Sequence, residues 1–430
     1  MASIKTNREL KSDIQKLAIE SNLKFTGYDI LYIGYGRFDI KDIHCRVFEA
    51  YLQEYVSIPI PNTTEPNSDS NSDSNSDSSL FIRAQDDWDY ASQPVGTISD
   101  PTRTGSSGLR VCLVPGDGNS KTINALVTAR HVAFSNDDKQ EIKFNVAETT
   151  ADPIQIIQPS QEKLEETLNL VHAFSETIYT PRDEMDYLVG EFLAHCLSYH
   201  RPASRRIGWV GASPARGIFR NGIRDWLVAM LDQSVVSEPG SMVNYVPTDV
   251  FGEANRAGLY RIDWDSLSTK DDPIELIKLE TFFTRSLIHP DLPRDPLSEE
   301  PERITAYMSG SIGRGSRGTF NSVMSTMWDT DFAEAEVYCI IGHLRGLFST
   351  DGDSGSVIFS LLPASVAQAG SQNAQHERLI PGIVAMLWGG HAKSSLSSNT
   401  YDLSYGIPFE DIKDDIEEFT GYRLRLCTEQ

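Results

Sequence analysis

Gly352-Asp353-Ser354-Gly355-Ser356 runs directly into Val357-Ile358-Phe359, a glycine-flanked serine followed at once by a β-branched and aromatic stretch. Flanking glycines let the chain turn tightly and leave the serine hydroxyl exposed. They also let successive backbone amides, here those of Gly352 and Ser354, point to one spot, which is how an oxyanion hole is built. A nucleophile elbow of the G-x-S-x-G type needs a glycine at its fifth position and a helix after it. Here the fifth residue is Ser356 and the continuation reads as a strand. Taken alone, the pentapeptide is equally compatible with a glycine-rich β-turn.

Working outward, short apolar runs bounded by Gly, Pro, Asn and Asp recur from about residue 105. They are LRVCLVP (109–115), NALVTARHVAF (124–134), DWLVAML (225–231), AEVYCII (335–341), GSVIFSLL (355–362) and PGIVAMLWGG (381–390). Their length and residue types predict buried strands of an antiparallel β structure. Residues 158–200 read differently. Leu164, Leu168, Val171, Phe174 and Ile178, then Met185, Leu188, Phe192 and Cys196, recur at helical spacing on either side of Pro181. A proline between two such segments breaks one helix into two, so a helical hairpin inserted into the β domain is expected. Residues 62–79 (NTTEPNSDSNSDSNSDSS) repeat Asn-Ser-Asp-Ser, which has no apolar side chain to offset ordering entropy, and read as a flexible linker. Before it, residues 1–61 read as a small α+β module with a helix over Glu9 to Asn22, a β-rich stretch from Tyr28 to Gly36 and a second helix over Val47 to Val56. The chain thus divides into a module (1–61), a linker (62–79) and a large β domain (80–430).

A serine hydroxyl is a weak nucleophile and needs a base. Of the 9 histidines, His131 stands out, because Val127-Thr128-Ala129-Arg130-His131-Val132 places it at the end of an apolar strand, a rigid mount. His172, His195 and His200 fall in the expected helices, His289 before a proline and His376 in a polar loop. Gly313 to Gly318 matches G-x-G-x-x-G without a βαβ context and is expected to be a β-turn near the cleft rather than a nucleotide site.

Thr128-Ala129-Arg130-His131-Val132 resembles the TA-x-H-C/V motif of chymotrypsin-like serine peptidases, and Gly352 to Ser356 resembles their G-D-S-G-G/S motif. The order His then Ser is also that family's, whereas α/β-hydrolases place the His last. The resemblance spans about residues 105–412. It is nearest to intracellular trypsin-like serine peptidases predicted in fungi, which carry an N-terminal module, a helical insertion after the His motif and a GDSGS loop. Ile207-Gly208, Ala212-Ser213-Pro214, Arg224-Asp225-Trp226 and Leu387-Trp388-Gly389-Gly390 fit that group. The resemblance implies a mainly β, chymotrypsin-like double antiparallel β-barrel with an inserted helical hairpin. It implies a serine endopeptidase without cofactor or metal, acting on an extended protein or peptide.

In such a site an acid orients the His and stabilises the imidazolium. Two aspartates between His131 and Ser354 begin apolar stretches, Asp225 (RDWLVAMLD) and Asp186 (MDYLVGEF). Asp225 is preferred because Asp186 lies within the expected helical insertion, but both stay open. By resemblance, Phe348, six residues before the nucleophile, lines the bottom of the primary pocket. It is uncharged, so a small or apolar primary side chain is expected. Ala385, Met386 and Leu387 belong to the stretch expected to form a pocket wall and to pair with the substrate backbone by β-augmentation. Asp353, which in secreted members pairs with a newly cut N-terminus, is present, but no activation site is recognisable. Val132 stands where those members have a cysteine. A form that needs no activating cleavage is expected.

Composition narrows the field. The 430 residues carry 38 basic against 61 acidic side chains, a net charge of −23, with 40% hydrophobic content. That supports a real core and works against sequence-independent nucleic-acid binding and against docking on anionic membranes. The N-terminal residues lack the apolar core of a secretory signal, and no run of about 18 apolar residues suggests a membrane span. The 5 scattered cysteines form no CxxC pair and read as buried reduced thiols of an intracellular protein. A second function class, a catalytically silent pseudoprotease that binds peptides or a partner protein, fits the same fold. The oligomeric state leaves no mark on the sequence.

Overall fold

The computed structural model describes residues 27–32, 43–48, 94–116, 121–135, 139–148, 153–166, 168–169, 202–236, 242–247, 276–289, 304–310, 315–321, 324–328, 334–342, 347–363, 379–390 and 403–427. Each apolar run forms a strand: Leu109–Pro115, Ile123–Ala129, Trp226–Leu231, Glu334–Gly342, Val357–Pro363 and Leu379–Gly390. They are rich in Val, Ile and Leu, residues that fit a pleated surface covered on both faces.

These strands belong to two sheets. The first has 8 strands in the order Tyr422–Leu426, Leu109–Pro115, Ile123–Ala129, Trp226–Leu231, Arg206–Ala212, Gln155–Ile157, Pro94–Thr97 and Thr104–Ser106. Its neighbours are antiparallel, and it curls enough that Thr128 Oγ1, in the third strand of that order, donates to the carbonyl of Ser106 in the last. In the second sheet, Leu379–Gly390, Val357–Pro363, Thr305–Ser309, Gly315–Phe320, Glu334–Gly342 and Leu403–Pro408 pair in succession. The last returns to the first, closing a barrel. Its interior is filled by Met308, Phe320, Tyr338, Ile340, Ile358 and Val384. The architecture is therefore mainly β, a closed six-strand barrel beside a curled half-barrel, as the resemblance implied.

Several local expectations change. Gly315–Phe320 is a barrel strand paired on both sides, not a turn at a cleft. Val47 and Phe48 end the strand Ile43–Phe48 instead of opening a helix; that strand pairs antiparallel with Gly27–Tyr32, which pairs in turn with Ser325–Trp328. Residues 161–166 are helical, but most of the expected hairpin over 158–200, the helix over Glu9 to Asn22 and the linker 62–79 lie outside the described residues. No described helix is long and apolar enough to cross a membrane.

The last described stretch straps the sheets together. Leu403–Pro408 is a barrel strand, the helix Phe409–Thr420 follows, and Tyr422–Leu426 joins the first sheet against Leu109–Pro115. Between helix and strand, Gly421 takes the left-handed conformation, φ 74°, that glycine adopts without steric cost. The ladder pairs Arg425 with Cys112, and Cys427 lies close enough to bridge it: Cys112 and Cys427 form a disulfide with their Cα atoms 5.4 Å apart. The expectation of reduced thiols is wrong for these two residues. Their separation of 315 residues leaves no local spacing pattern, and only the strand pairing brings them together. Cys339 is a buried thiol in the barrel.

Candidate active site

The strand Ile123–Ala129 gives way to a single 3₁₀ turn, Arg130–Val132, which carries His131. Asp225 and Arg103 hold the turn. The Arg130 amide donates to the Asp225 carbonyl at 3.2 Å. Arg103 donates from one terminal nitrogen to the carbonyls of His131 at 3.0 Å and Phe134 at 2.9 Å. Asp100 in turn accepts from Arg103 Nε at 2.8 Å.

Ladder register places Asp225. Trp226 pairs with Ala129, so the preceding residue, Asp225, meets the turn that follows Ala129. Asp225 is fully buried, and each carboxylate oxygen is engaged. Oδ1 accepts from the His131 backbone amide at 3.0 Å, and Oδ2 lies 2.8 Å from His131 Nδ1. A third donor, Trp388 Nε1, reaches Oδ2 at 2.9 Å from the barrel strand Leu379–Gly390. Burial alone would raise the Asp225 carboxyl. The charge and hydrogen bonds of His131, with the charge of Arg216, outweigh it and hold the group at about 2, so it is ionised. A carboxylate at Nδ1 selects the tautomer with the proton there and leaves Nε2 as the acceptor.

The serine loop is built from two consecutive turns, with Asp353 N donating to Thr350 O at 3.1 Å and Ser356 N to Asp353 O at 2.9 Å. Gly352 and Gly355 take φ of 90° and 91°, which ordinary side chains rarely adopt. The Asp353 carboxylate accepts from the Thr350 amide at 2.9 Å and its hydroxyl at 3.1 Å, within its own loop. The loop is tied to both sheets. Gly355 N donates to Leu387 O at 2.9 Å and Leu387 N to Ser356 O at 2.8 Å on the barrel side. On the other side Ser106 N donates to Ser354 O at 2.7 Å, and Ser356 Oγ donates to Ser106 Oγ at 2.8 Å.

The loop also lies against the turn that carries His131. A Cβ added at Gly105 would meet Val132 Cγ2 at 2.2 Å and Ser354 O at 2.9 Å, so the residue after His131 and the serine converge on one point. A Cβ added at Gly355 would meet Thr128 Oγ1 at 2.3 Å and lie 3.2 Å from Ala129 N. Two buried side-chain atoms here, Ser354 Oγ and His131 Nε2, make no hydrogen bond to any described residue. Ser354 is fully buried, not exposed as its glycine turn suggested, because the Thr104–Ser106 strand and Val132 pack over the loop. The Ser354 amide likewise donates to no described group.

Phe348, Ala385 and Leu387, the expected pocket residues, are buried in the barrel's interior cluster, and Met386 lies in the neighbouring core. Asp186 lies outside the described residues. Among the described residues no cluster of three or more His, Cys, Asp or Glu is placed to hold a metal ion. Sequence reading missed the roles of Trp388, Ser106 and Arg103. Only Trp388 carried a signal, as a lone tryptophan before two glycines on an apolar strand.

No protein-family model matches the sequence, and none of the curated proteins matches it significantly. Among solved structures the chain is similar to Thermobifida fusca Protease A, at 10% identity over 79% of this chain and 98% of that one, with a TM-score of 0.33. It is similar to Nocardiopsis Protease at 8% identity, 78% and 98% coverage and a TM-score of 0.31. It is also similar to a glutamic acid specific serine protease said to use a histidine triad in substrate binding, at 12% identity, 78% and 100% coverage and a TM-score of 0.30.

Proposed function

We propose that the protein is a serine endopeptidase of the chymotrypsin-like type. One observation carries the reading. An ionised, fully buried Asp225 binds His131 Nδ1 at 2.8 Å, while His131 Nε2 and the hydroxyl of Ser354, on a loop packed against the same turn, are both buried and unbonded.

In this reading Ser354 Oγ attacks the peptide carbonyl carbon as its proton passes to His131 Nε2. Asp225 stabilises the imidazolium and keeps its orientation. The amides of Gly352 and Ser354 receive the negative carbonyl oxygen. His131 then gives the proton to the leaving amine, and water repeats the sequence on the acyl-enzyme to release the acid. Access for a substrate requires the chain over Ser354 to move, a gating step of the kind common in enzymes. The uncharged Phe348 supports a small or apolar primary side chain, and an extended protein or peptide is the partner. The Cys112–Cys427 disulfide supports an oxidising working compartment in place of the intracellular one expected from sequence.

A peptide-library digest tests this. Cleavage after small or apolar residues by wild type, lost in both Ser354→Ala and His131→Ala, is the expected result. Cleavage chiefly after Lys or Arg overturns the specificity. Tight binding of peptides with no cleavage moves the protein to the silent binding module.

A further inference from the structure

We propose that Asp415, on the C-terminal helix, is a positioning residue for Asp225 and sets the geometry of the His131–Asp225 pair from behind. The inference rests on reading His131, Asp225 and Ser354 as one catalytic set. It starts from the junction between two strands. Gly222–Arg224 ends one strand and Trp226–Leu231 begins the next, and Asp225 sits between them in neither. Its backbone is held by the Arg130 amide, which donates to the Asp225 carbonyl at 3.2 Å, and its own place between two strands leaves its neighbours to fix the rest. Side chains alternate along extended chain, so Arg224 and Trp226 project to the face opposite Asp225. There Asp415 grips both. Its carboxylate accepts from Arg224 Nε at 3.1 and 3.0 Å and from Arg224 NH2 at 2.6 Å. It also accepts from Trp226 Nε1 at 2.7 Å.

The grip is sheltered. The Asp415 side chain is 8% exposed and Trp226 is fully buried, so these charge-assisted bonds escape most solvent screening. The partners are held in their own right: Arg224 lies 4.1 Å over the Phe219 ring, and Trp226 meets Phe419 of the helix edge-on at 5.6 Å. The helix is itself anchored, because Phe409 stacks on Phe282 at 5.2 Å and the chain beyond it ends in the disulfide to Cys112. Asp415 thus links a braced element to both neighbours of the catalytic acid.

Two readouts test this without depending on each other. The far-downfield proton signal of His131 Nδ1–H reports the pair by NMR and needs no turnover. It is expected in wild type, absent in Asp225→Asn, and broadened or lost in a folded Asp415→Asn. The second readout is the labelling rate with a fluorophosphonate. Asp415→Asn is expected to slow the chemical step about ten-fold with probe affinity unchanged, and to add almost nothing in an Asp225→Asn background, because the two act through one group. A merely structural role would cost the same in both backgrounds. If Asp415→Asn does not fold, Trp226→Phe, which removes one of the two grips, is expected to show the same changes at about three-fold. An unchanged proton signal and labelling rate in a folded variant overturns the proposal. A wild type that shows the proton signal but takes no probe overturns the peptidase reading and leaves this one standing.

Discussion

The curled first sheet and the closed barrel beside it contribute unlike things to the site. The first sheet supplies the His131–Asp225 pair already assembled, with both oxygens of Asp225 and the Nδ1 of His131 satisfied. The barrel supplies a serine on a tightly folded loop whose hydroxyl has no partner among the described residues. The pair is made within one sheet, from strands that register against each other. The serine loop is tied across the junction by its bonds to Ser106. Among the described residues, Trp388 is the barrel side chain that reaches back to Asp225. Pairs made within a sheet are fixed by the ladder, whereas the approach of Ser354 to His131 depends on a handful of cross-sheet contacts.

That contrast can be broken from either side. Removing the charge of the pair has the largest expected effect: Asp225→Asn lowers kcat by about 10⁴-fold, read by steady-state hydrolysis, because the wrong tautomer is then favoured. The same variant tests the charge through pH. The Asp225 carboxyl is held at about 2 when folded, below the usual carboxylate range of an unfolded chain. Its contribution to stability is complete above that range and is lost as pH falls through the folded value. The stability gap between wild type and Asp225→Asn therefore narrows steadily from about pH 5 down to about pH 2 in denaturant titrations.

Next in size is the strap. Cys427→Ser lowers stability by about 2–5 kcal/mol, measured by chemical unfolding, while labelling well below the melting temperature stays within about two-fold of wild type. Gly355→Ala perturbs the junction itself. Its methyl would sit 2.3 Å from Thr128 Oγ1 and 2.6 Å from Ser106 O at a φ of 91°. A cost of about 1–3 kcal/mol and slower labelling of Ser354 are expected. Trp388→Phe is the smallest change, removing one charge-assisted donor to Asp225. It lowers kcat about ten-fold, roughly 1.4 kcal/mol, with little change in KM.

The strands were legible because each is an apolar run bounded by turn residues, and Leu109–Pro115 and Trp226–Leu231 match the predicted bounds within a residue. The candidates His131, Asp225 and Ser354 were legible because each flanks such a run. What stayed hidden depends on pairings between distant segments. The Cys112–Cys427 bond follows from strand register, and the Trp388–Asp225 bond spans 163 residues. The burial of Ser354 was misread for the same reason: a glycine turn says that the chain can expose a hydroxyl, not what another sheet lays over it. Gly315–Phe320 was misread because glycines that signal a turn locally also suit a strand packed closely between two others.

The central claim is that two sheets bring Ser354 to the His131–Asp225 pair as a working nucleophile. Labelling by a small fluorophosphonate, with the adduct located by peptide mass spectrometry, tests it most directly. The account predicts one adduct, on Ser354, in wild type, and none in folded Ser354→Ala or His131→Ala. Folded wild type that takes no label on Ser354, or that labels equally well without His131, would contradict it.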